Sequence, residues 1–369
     1  MKYVKLIKIH PKIGQGTITI QQVLSRHEIT THQIKSFLNK DVVERIYKGT
    51  VAIGLSVALI KMISIMAYRE TILAFFDWVE GLHEGKSSNL VNGLRRNLYK
   101  KLTTCLFKVL RRYWILSIIG VLALVLAPLK LESDYMVIMH IPFLPPNGHP
   151  FFEINYLSQT IGTFFAATSV AAYISLYVFI TTHVITELDV ILALCDHVGA
   201  FEELRLARKI PLGLNLKFEK LLPAIIKLQC DITRMITKIA KFYSINILLW
   251  EIFTVSTYLS SFIVITLHPE KAYSIPNSLD VTTQYFVVSY LSSRIREKYE
   301  TISQAIYCSK WYHLTVKQRR ELLNVMMMSQ QIKTLNSGRL ANLTMDRFTS
   351  VMKFTYNICI LLKSIIVRK

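Results

Sequence analysis

Apolar positions along this chain gather into long runs, and the stretches between them are basic and patterned like helices. Three runs stand out: YWILSIIGVLALVLAPL (113–129), YLSQTIGTFFAATSVAAYISLYVFI (156–180) and FYSINILLWEIFTVSTYLSSFIVITL (242–267). Each is close to the ~20 residues that a helix needs to cross ~30 Å of hydrocarbon. Three weaker runs, TVAIGLSVALIKMISIMA (50–67), VTTQYFVVSYLSSRI (281–295) and FTSVMKFTYNICILLKSIIV (348–367), carry hydroxyls, an amide or lysines. Spans of this kind face other helices or water rather than lipid. The pattern predicts six membrane helices.

The connecting segments orient them. Between Tyr68 and Arg112, and again between Ser293 and Ala341, basic residues outnumber acidic ones, and the stretch from Arg205 to Lys241 is also rich in Lys and Arg. The segments 130–155 and 268–280 hold one lysine each, Lys130 and Lys271. Basic loops stay in the cytoplasm. This alternation places the C-terminus outside, the reverse of a seven-helix G-protein-coupled receptor. The cytoplasmic segment 302–335 repeats apolar residues at helical spacing, Leu322, Val325, Met326 and Ile332, beside Arg319, Arg320 and Glu321. That spacing predicts amphipathic helices packed as a layer below the membrane.

Composition agrees with a membrane protein. Of 369 residues 52% are hydrophobic and 18% charged, and the mean hydropathy is +0.36. The net charge of +20 is accounted for by the cytoplasmic loops, so no nucleic-acid partner is expected. Five cysteines, Cys105, Cys195, Cys230, Cys308 and Cys359, lie far apart and indicate neither a zinc site nor a disulfide framework. The opening MKYVKLIKIHPKIGQG has a basic start but no apolar core, so no secretory signal is expected. No GxGxxG, P-loop or nucleophile elbow appears, and neither an enzyme nor a cofactor is expected. His183, Glu187 and Asp189 read as solvated charge at a cytoplasmic helix end. Lys61 reads as a side chain snorkelling to the cytoplasmic interface. The sequon Asn342-Leu343-Thr344 falls on the cytoplasmic side, where it is expected to be silent.

Near the C-terminus the runs AIYCSKWYHL, RRELLNVMMMSQ and LTMDRFTSVMKFTYNICILLKS follow one another in order. This order resembles the carboxy-terminal signature of insect odorant receptors. Upstream, PFLPP through FFEINYLSQT (142–160) and THVITELDVILALCDHVG (182–199) are similar to that family's outer loop, fourth helix and following cytoplasmic helix. The resemblance covers the chain from about Tyr113 onward, and the Thr355-Tyr356 pair is also similar to gustatory-receptor and coreceptor tails. It implies an all-α, polytopic membrane protein with a cytoplasmic helical anchor layer. The family has seven spans, whereas six are visible here.

The organisation that follows has four parts: an atypical segment 1–48 in which a first span is not evident, transmembrane helices with a ligand pocket over 49–300, anchor helices over 301–343, and a pore-lining helix over 344–369. The implied function is an odorant receptor subunit that binds a small volatile ligand and opens a nonselective cation channel in a heterotetramer with a coreceptor. Its place would be the plasma membrane, in the dendrite of an olfactory neuron, with lipid around it. An aromatic and hydroxyl set at one depth is the candidate pocket: Leu122 and Val125, then Phe164, Phe165 and Thr168, then Tyr285, Phe286 and Tyr290. Any one of these taken alone reads more readily as helix packing than as a pocket residue. Trp311 and Tyr312 are candidates for the oligomer interface.

The last helix allows two orientations. At about 100° per residue, Asp346, Ser350, Lys353, Asn357 and Ser364 form one polar stripe, which on general grounds turns toward water. Matching the family tail instead places an apolar gate at Cys359, Leu362, Lys363 and Ile366, with Phe348 and Met352 on the same line and the polar stripe against neighbouring helices. The family register is preferred for the outer half. A gustatory-type channel, and more remotely a G-protein-coupled receptor or a transporter, remain as alternatives.

Overall fold

The computed structural model describes residues 40–83, 89–130, 151–206, 212–267, 274–309, 311–330, 335–337 and 341–367. Residues 1–39, where a first span was sought, lie outside the described residues. Helix α1 (Lys40–Ala67) is followed by α2 (Arg69–His83), α3 (Asn89–Lys130), α4 (Phe151–Leu206), α5 (Leu212–Leu267) and α6 (Ser274–Cys308). A 3-10 turn at Trp311–His313, α7 (Val316–Gln330), a two-residue hairpin of β1 (Asn336–Ser337) and β2 (Ala341–Asn342), and α8 (Met345–Val367) complete the chain.

All six predicted runs lie on helices, and several helices outgrow them. Helices α4 and α5 have 56 residues each, roughly 84 Å at 1.5 Å per residue. That is nearly three times the ~30 Å of a hydrocarbon core. Their apolar stretches, Glu153–Cys195 and Leu222–Thr266, are long enough to cross a membrane and continue beyond it. Helices α1 and α2 form a third, bent pair, with an angle of 62° between Ala52–Ala67 and Arg69–Leu82. The ladder survives the bend, since Tyr68 N–H donates to the Ser64 carbonyl at 3.0 Å and Ile72 N–H to the Tyr68 carbonyl at 3.1 Å. Helices α4 and α6 also begin within the segments read as outer loops, at Phe151 and Ser274.

Hydroxyls in the weaker runs on α6 and α8 are satisfied within their own helices. Thr283 donates to the Leu279 carbonyl, Thr349 to Met345, Ser350 to Asp346 and Thr355 to Val351, at 2.8 to 2.9 Å. Each satisfies its own hydroxyl one turn back, which removes the cost of an unpaired group away from water.

Burial is uneven along the helices. On α4, Ile154, Leu157, Ile161, Phe164 and Phe165 are exposed, while Val184, Leu188, Val190, Ile191 and Leu194 are fully buried. The bundle is therefore tight along the C-terminal half of α4 and open along its N-terminal end. Aromatic rings knit α4 to α5 at the transition: Tyr177 meets Tyr243 edge-on at 4.8 Å, Tyr173 meets Tyr243 at 5.2 Å, and the Tyr177 O–H donates to the Val288 carbonyl of α6 at 3.0 Å.

Two caps position the lower layer. Thr315 and Gln318 form a reciprocal capping box at the start of α7, with Thr315 N–H to Gln318 Oε1 at 3.0 Å and Gln318 N–H to Thr315 Oγ1 at 3.4 Å. Thr344 caps α8 through Arg347 N–H at 3.2 Å. Leu322 and Val325 are buried and Met326 half-buried as their spacing predicts, and Gln229 of α5 holds α7 through the Val325 carbonyl and Ser329 Oγ. Ile332 lies outside the described residues.

Candidate functional site

Three polar clusters are built into this apolar frame. In the first, Arg95 of α3 forms a two-pronged ion pair with Glu187 of α4, at 2.8 and 2.9 Å, and donates a third hydrogen bond to the Leu82 carbonyl. Glu187 is 0% exposed, so the expectation of solvated charge at this helix end is corrected. His183 is buried too, ringed by Phe75, Tyr99 and Phe179, and Asp189 pairs with Lys298 of α6. A buried carboxylate needs such a partner, since its desolvation costs several kcal/mol on the order of any interaction it forms. Burial beside Glu187 pushes the Tyr99 phenol well above its ordinary range.

The second cluster is Lys61. Its ammonium lies 3.6 Å from the Trp250 ring centroid and 5.5 Å from that of Tyr173, and the residue is 2% exposed. The expected snorkelling does not occur. Helix α1 packs this face against α5 and α4, and the indole face replaces water around the cation.

The third cluster ties the last helix to the bundle. Glu251 of α5, nearly buried, accepts from the Tyr285 O–H at 2.9 Å and from the Arg347 guanidinium at 3.3 and 3.5 Å. Phe348, in the first turn of α8, stacks obliquely on Tyr285 at 5.3 Å and meets Phe286 edge-on at 5.6 Å. Met345 N–H donates to Ser293 Oγ of α6 at 2.8 Å. These contacts set Tyr285 and Phe286 against the first turn of α8. Tyr290, one turn further along α6, stacks on Phe286 at 6.1 Å.

The candidate pocket residues are thus divided. Leu122 is exposed on α3, Phe164 and Phe165 are exposed on α4 with a ring contact to each other at 6.5 Å, and Thr168 is half-buried. The Val125 side chain lies outside the described residues. Sequence reasoning missed a polar seam between α5 and α6, in which Ser278 donates to Ser261 at 2.7 Å and Thr282 to Tyr258. Hydroxyls facing each other across two spans are visible only once the helices are paired.

On α8 the buried residues are Val351, Thr355 and Cys359, with Phe348, Met352 and Leu362 half-buried. Asp346, Ser350, Lys353, Asn357, Lys363 and Ser364 are exposed. Within the subunit the line through Phe348 and Cys359 packs on its own bundle, while the polar stripe is exposed together with Phe354, Tyr356, Ile360 and Leu361. The exposed side of α8 is thus mixed, polar groups alternating with large apolar ones. The Ile366 side chain lies outside the described residues.

A model of the 7tm odorant receptor family matches residues 42–356. The chain belongs to that family. Odorant receptor 2a of Drosophila melanogaster is 33% identical to this odorant receptor over 82 residues, 22% of this chain and 21% of that protein. The match thus spans about a fifth of that relative's length. Among solved structures, insect olfactory receptor OR5 from Machilis hrabei in complex with eugenol superimposes with a TM-score of 0.72 at 14% identity, covering 97% of this chain and 93% of that one. A second structure of OR5 gives 0.71 at 15% identity, covering 96% and 92%. The likeness establishes the helical membrane fold for this odorant receptor. Family and fold are those of a receptor rather than an enzyme.

Proposed function

We propose that this odorant receptor is the ligand-binding subunit of a cation channel, opened by a small volatile molecule and assembled with a coreceptor. The observation that carries this reading is α8. A membrane helix with Asp346, Ser350, Lys353 and Asn357 on its free face requires water or polar partners there, and a pore at the centre of an oligomer supplies both. The exposed Trp311 and Tyr312 fit a cytoplasmic contact between subunits. The orientation read from charge, with 68–112 and 293–341 cytoplasmic and the C-terminus outside, belongs to the same proposal. The ligand is placed toward the open end of the bundle, where Leu122, Phe164, Phe165 and Thr168 offer apolar surface worth about 25 cal/mol per Å² on burial.

The conduction side of α8 in this reading is the polar stripe together with Lys363, while Cys359 supports the helix from behind. The test is whole-cell current in cells coexpressing the chain with an odorant receptor coreceptor, screened with a panel of volatiles. A ligand-evoked current that rises within milliseconds without nucleotide supports the proposal. A response appearing only as second-messenger output, from protein that reaches the cell surface, overturns it in favour of a coupled receptor.

A further inference from the structure

Helix α3 carries no acidic residue between Asn89 and Lys130, yet it has a dense run of basic ones just before its apolar half. At 100° per residue, Arg96, Lys100, Lys101, Lys108, Arg111 and Arg112 fall on one arc of about 160°. Arg95 points the opposite way and is consumed by Glu187. The six on the arc are exposed, and among the described residues none pairs with a carboxylate.

The lower end of the apolar half adds shape. Thr104, Phe107, Lys108, Arg111, Arg112 and Ile115 line a depression of about 470 Å³. Phe107 is 77% exposed, and Ile115, Ile118 and Ile119 continue an exposed apolar strip into the span. Retention of basic loops in the cytoplasm explains the number of these cations but not a cup that combines three of them with a bare phenyl ring. Free soluble anions have no use for the ring, and an acidic protein has none for the strip above it. An amphiphile uses both.

We propose that this cup binds the phosphorylated headgroup of an anionic phospholipid in the cytoplasmic leaflet. Lys108, Arg111 and Arg112 hold the phosphates, Phe107 and Ile115 meet the upper acyl chains, and Lys101 and Lys100, about 10 and 12 Å along the helix axis from Lys108, extend the positive field at somewhat more than one Debye length. The two arginines offer forked donors to phosphate oxygens. The inference rests on the cytoplasmic placement of 68–112 and not on channel activity.

The experiment uses the full chain purified in detergent, titrated with short-chain phosphatidylinositol bisphosphate, phosphatidylserine and phosphatidylcholine, and separately with the acyl-free inositol phosphate headgroup and with inorganic phosphate. The bisphosphate lipid is expected to bind at least tenfold more tightly than phosphatidylcholine. Joint replacement Lys108→Gln, Arg111→Gln and Arg112→Gln should weaken it at least tenfold, and Arg111→Lys with Arg112→Lys should retain most of the binding, which separates lost charge from misfolding. Phe107→Ser should weaken the lipid but not the free headgroup. Equal binding of phosphatidylcholine, unchanged binding by the triple variant, or a free headgroup or phosphate that binds as tightly as the lipid would each overturn the proposal. Because the readout is lipid binding, a chain that conducts no current still gives an answer.

Discussion

Arg347, in the first turn of the last helix, reaches across to Glu251 on α5, its guanidinium 3.3 and 3.5 Å from the two carboxylate oxygens. The neighbouring residue on α5, Trp250, covers the ammonium of Lys61 on α1. One turn of α5 therefore connects the base of the proposed pore helix to the first described helix of the bundle. The Arg347 side chain is 40% exposed, so screening limits the pair to about 0.5–1 kcal/mol. A double-mutant cycle of Arg347→Ala and Glu251→Gln, read by thermal unfolding and by the ligand dose–response curve, should give a coupling of that size together with a shifted midpoint. Additive effects on both readouts would mean that the contact transmits nothing.

Lys61 and Trp250 make a different prediction. Lys61→Met keeps the aliphatic stem and removes a charge that is costly to bury, so thermal stability in detergent should be unchanged or raised. Trp250→Ala leaves the cation without its π face and opens a cavity, with a loss of roughly 3–5 kcal/mol. Equal losses for the two variants would show that the ammonium has a structural partner more important than the indole.

The buried pair Arg95–Glu187 sets the strength of the lower layer. Truncating Arg95 to Ala strands a carboxylate at 0% exposure, which costs roughly 3–5 kcal/mol, and surface expression should fall sharply. Arg96→Ala, one residue away and exposed, should have little effect. Similar expression of both variants would remove the pair from the account.

Tyr99 adds a pH dependence at the same place. Its phenol is raised by burial and by the charge of Glu187, whereas an unfolded tyrosine ionises near pH 10. Above about pH 10 the folded state keeps a proton that the unfolded state has lost, so stability falls as pH rises. Unfolding followed from pH 8 to 11 should show this decline, and Tyr99→Phe should flatten it. An identical slope in the variant would assign the decline to other groups.

The orientation of α8 has a direct chemical test. Asn357 lies on the free polar face and Cys359 on the buried one. A charged thiol reagent applied from outside during agonist exposure should therefore alter current in Asn357→Cys channels and leave the native Cys359 unmodified. Modification of Cys359 in the parent, abolished by Cys359→Ser, would restore the apolar gate register and reverse the orientation described above.

Much of the frame was legible because the signals are local. The helical apolar runs, the buried Leu322 and Val325 of α7 and the polar stripe of α8 all follow from spacing within one helix. The sites were less legible because their partners are far apart in sequence. Lys61 meets Trp250, and Arg95 meets Glu187, through helix pairings that no periodicity encodes. A lysine near a helix end snorkels by default, and only the packing of α1 on α5 reverses that. The contact of Tyr285 and Phe286 with Phe348 was hidden for the same reason, since it joins two helices about sixty residues apart. The α8 register was not legible because two apolar-versus-polar rules disagreed, and the packing surface of the subunit's own bundle cannot be read from one helix.

The uneven burial of α4 bears on how such a receptor changes over time. Residues such as Val184, Leu188 and Ile191 have no exposed surface, so most replacements there would threaten folding. Phe164, Phe165 and Leu157 touch little within the subunit, and replacements there should cost only tenths of a kcal/mol. Mutations can therefore accumulate at the open end at little risk to assembly, which allows the range of molecules detected to diverge between lineages while the lower half of the protein is held fixed.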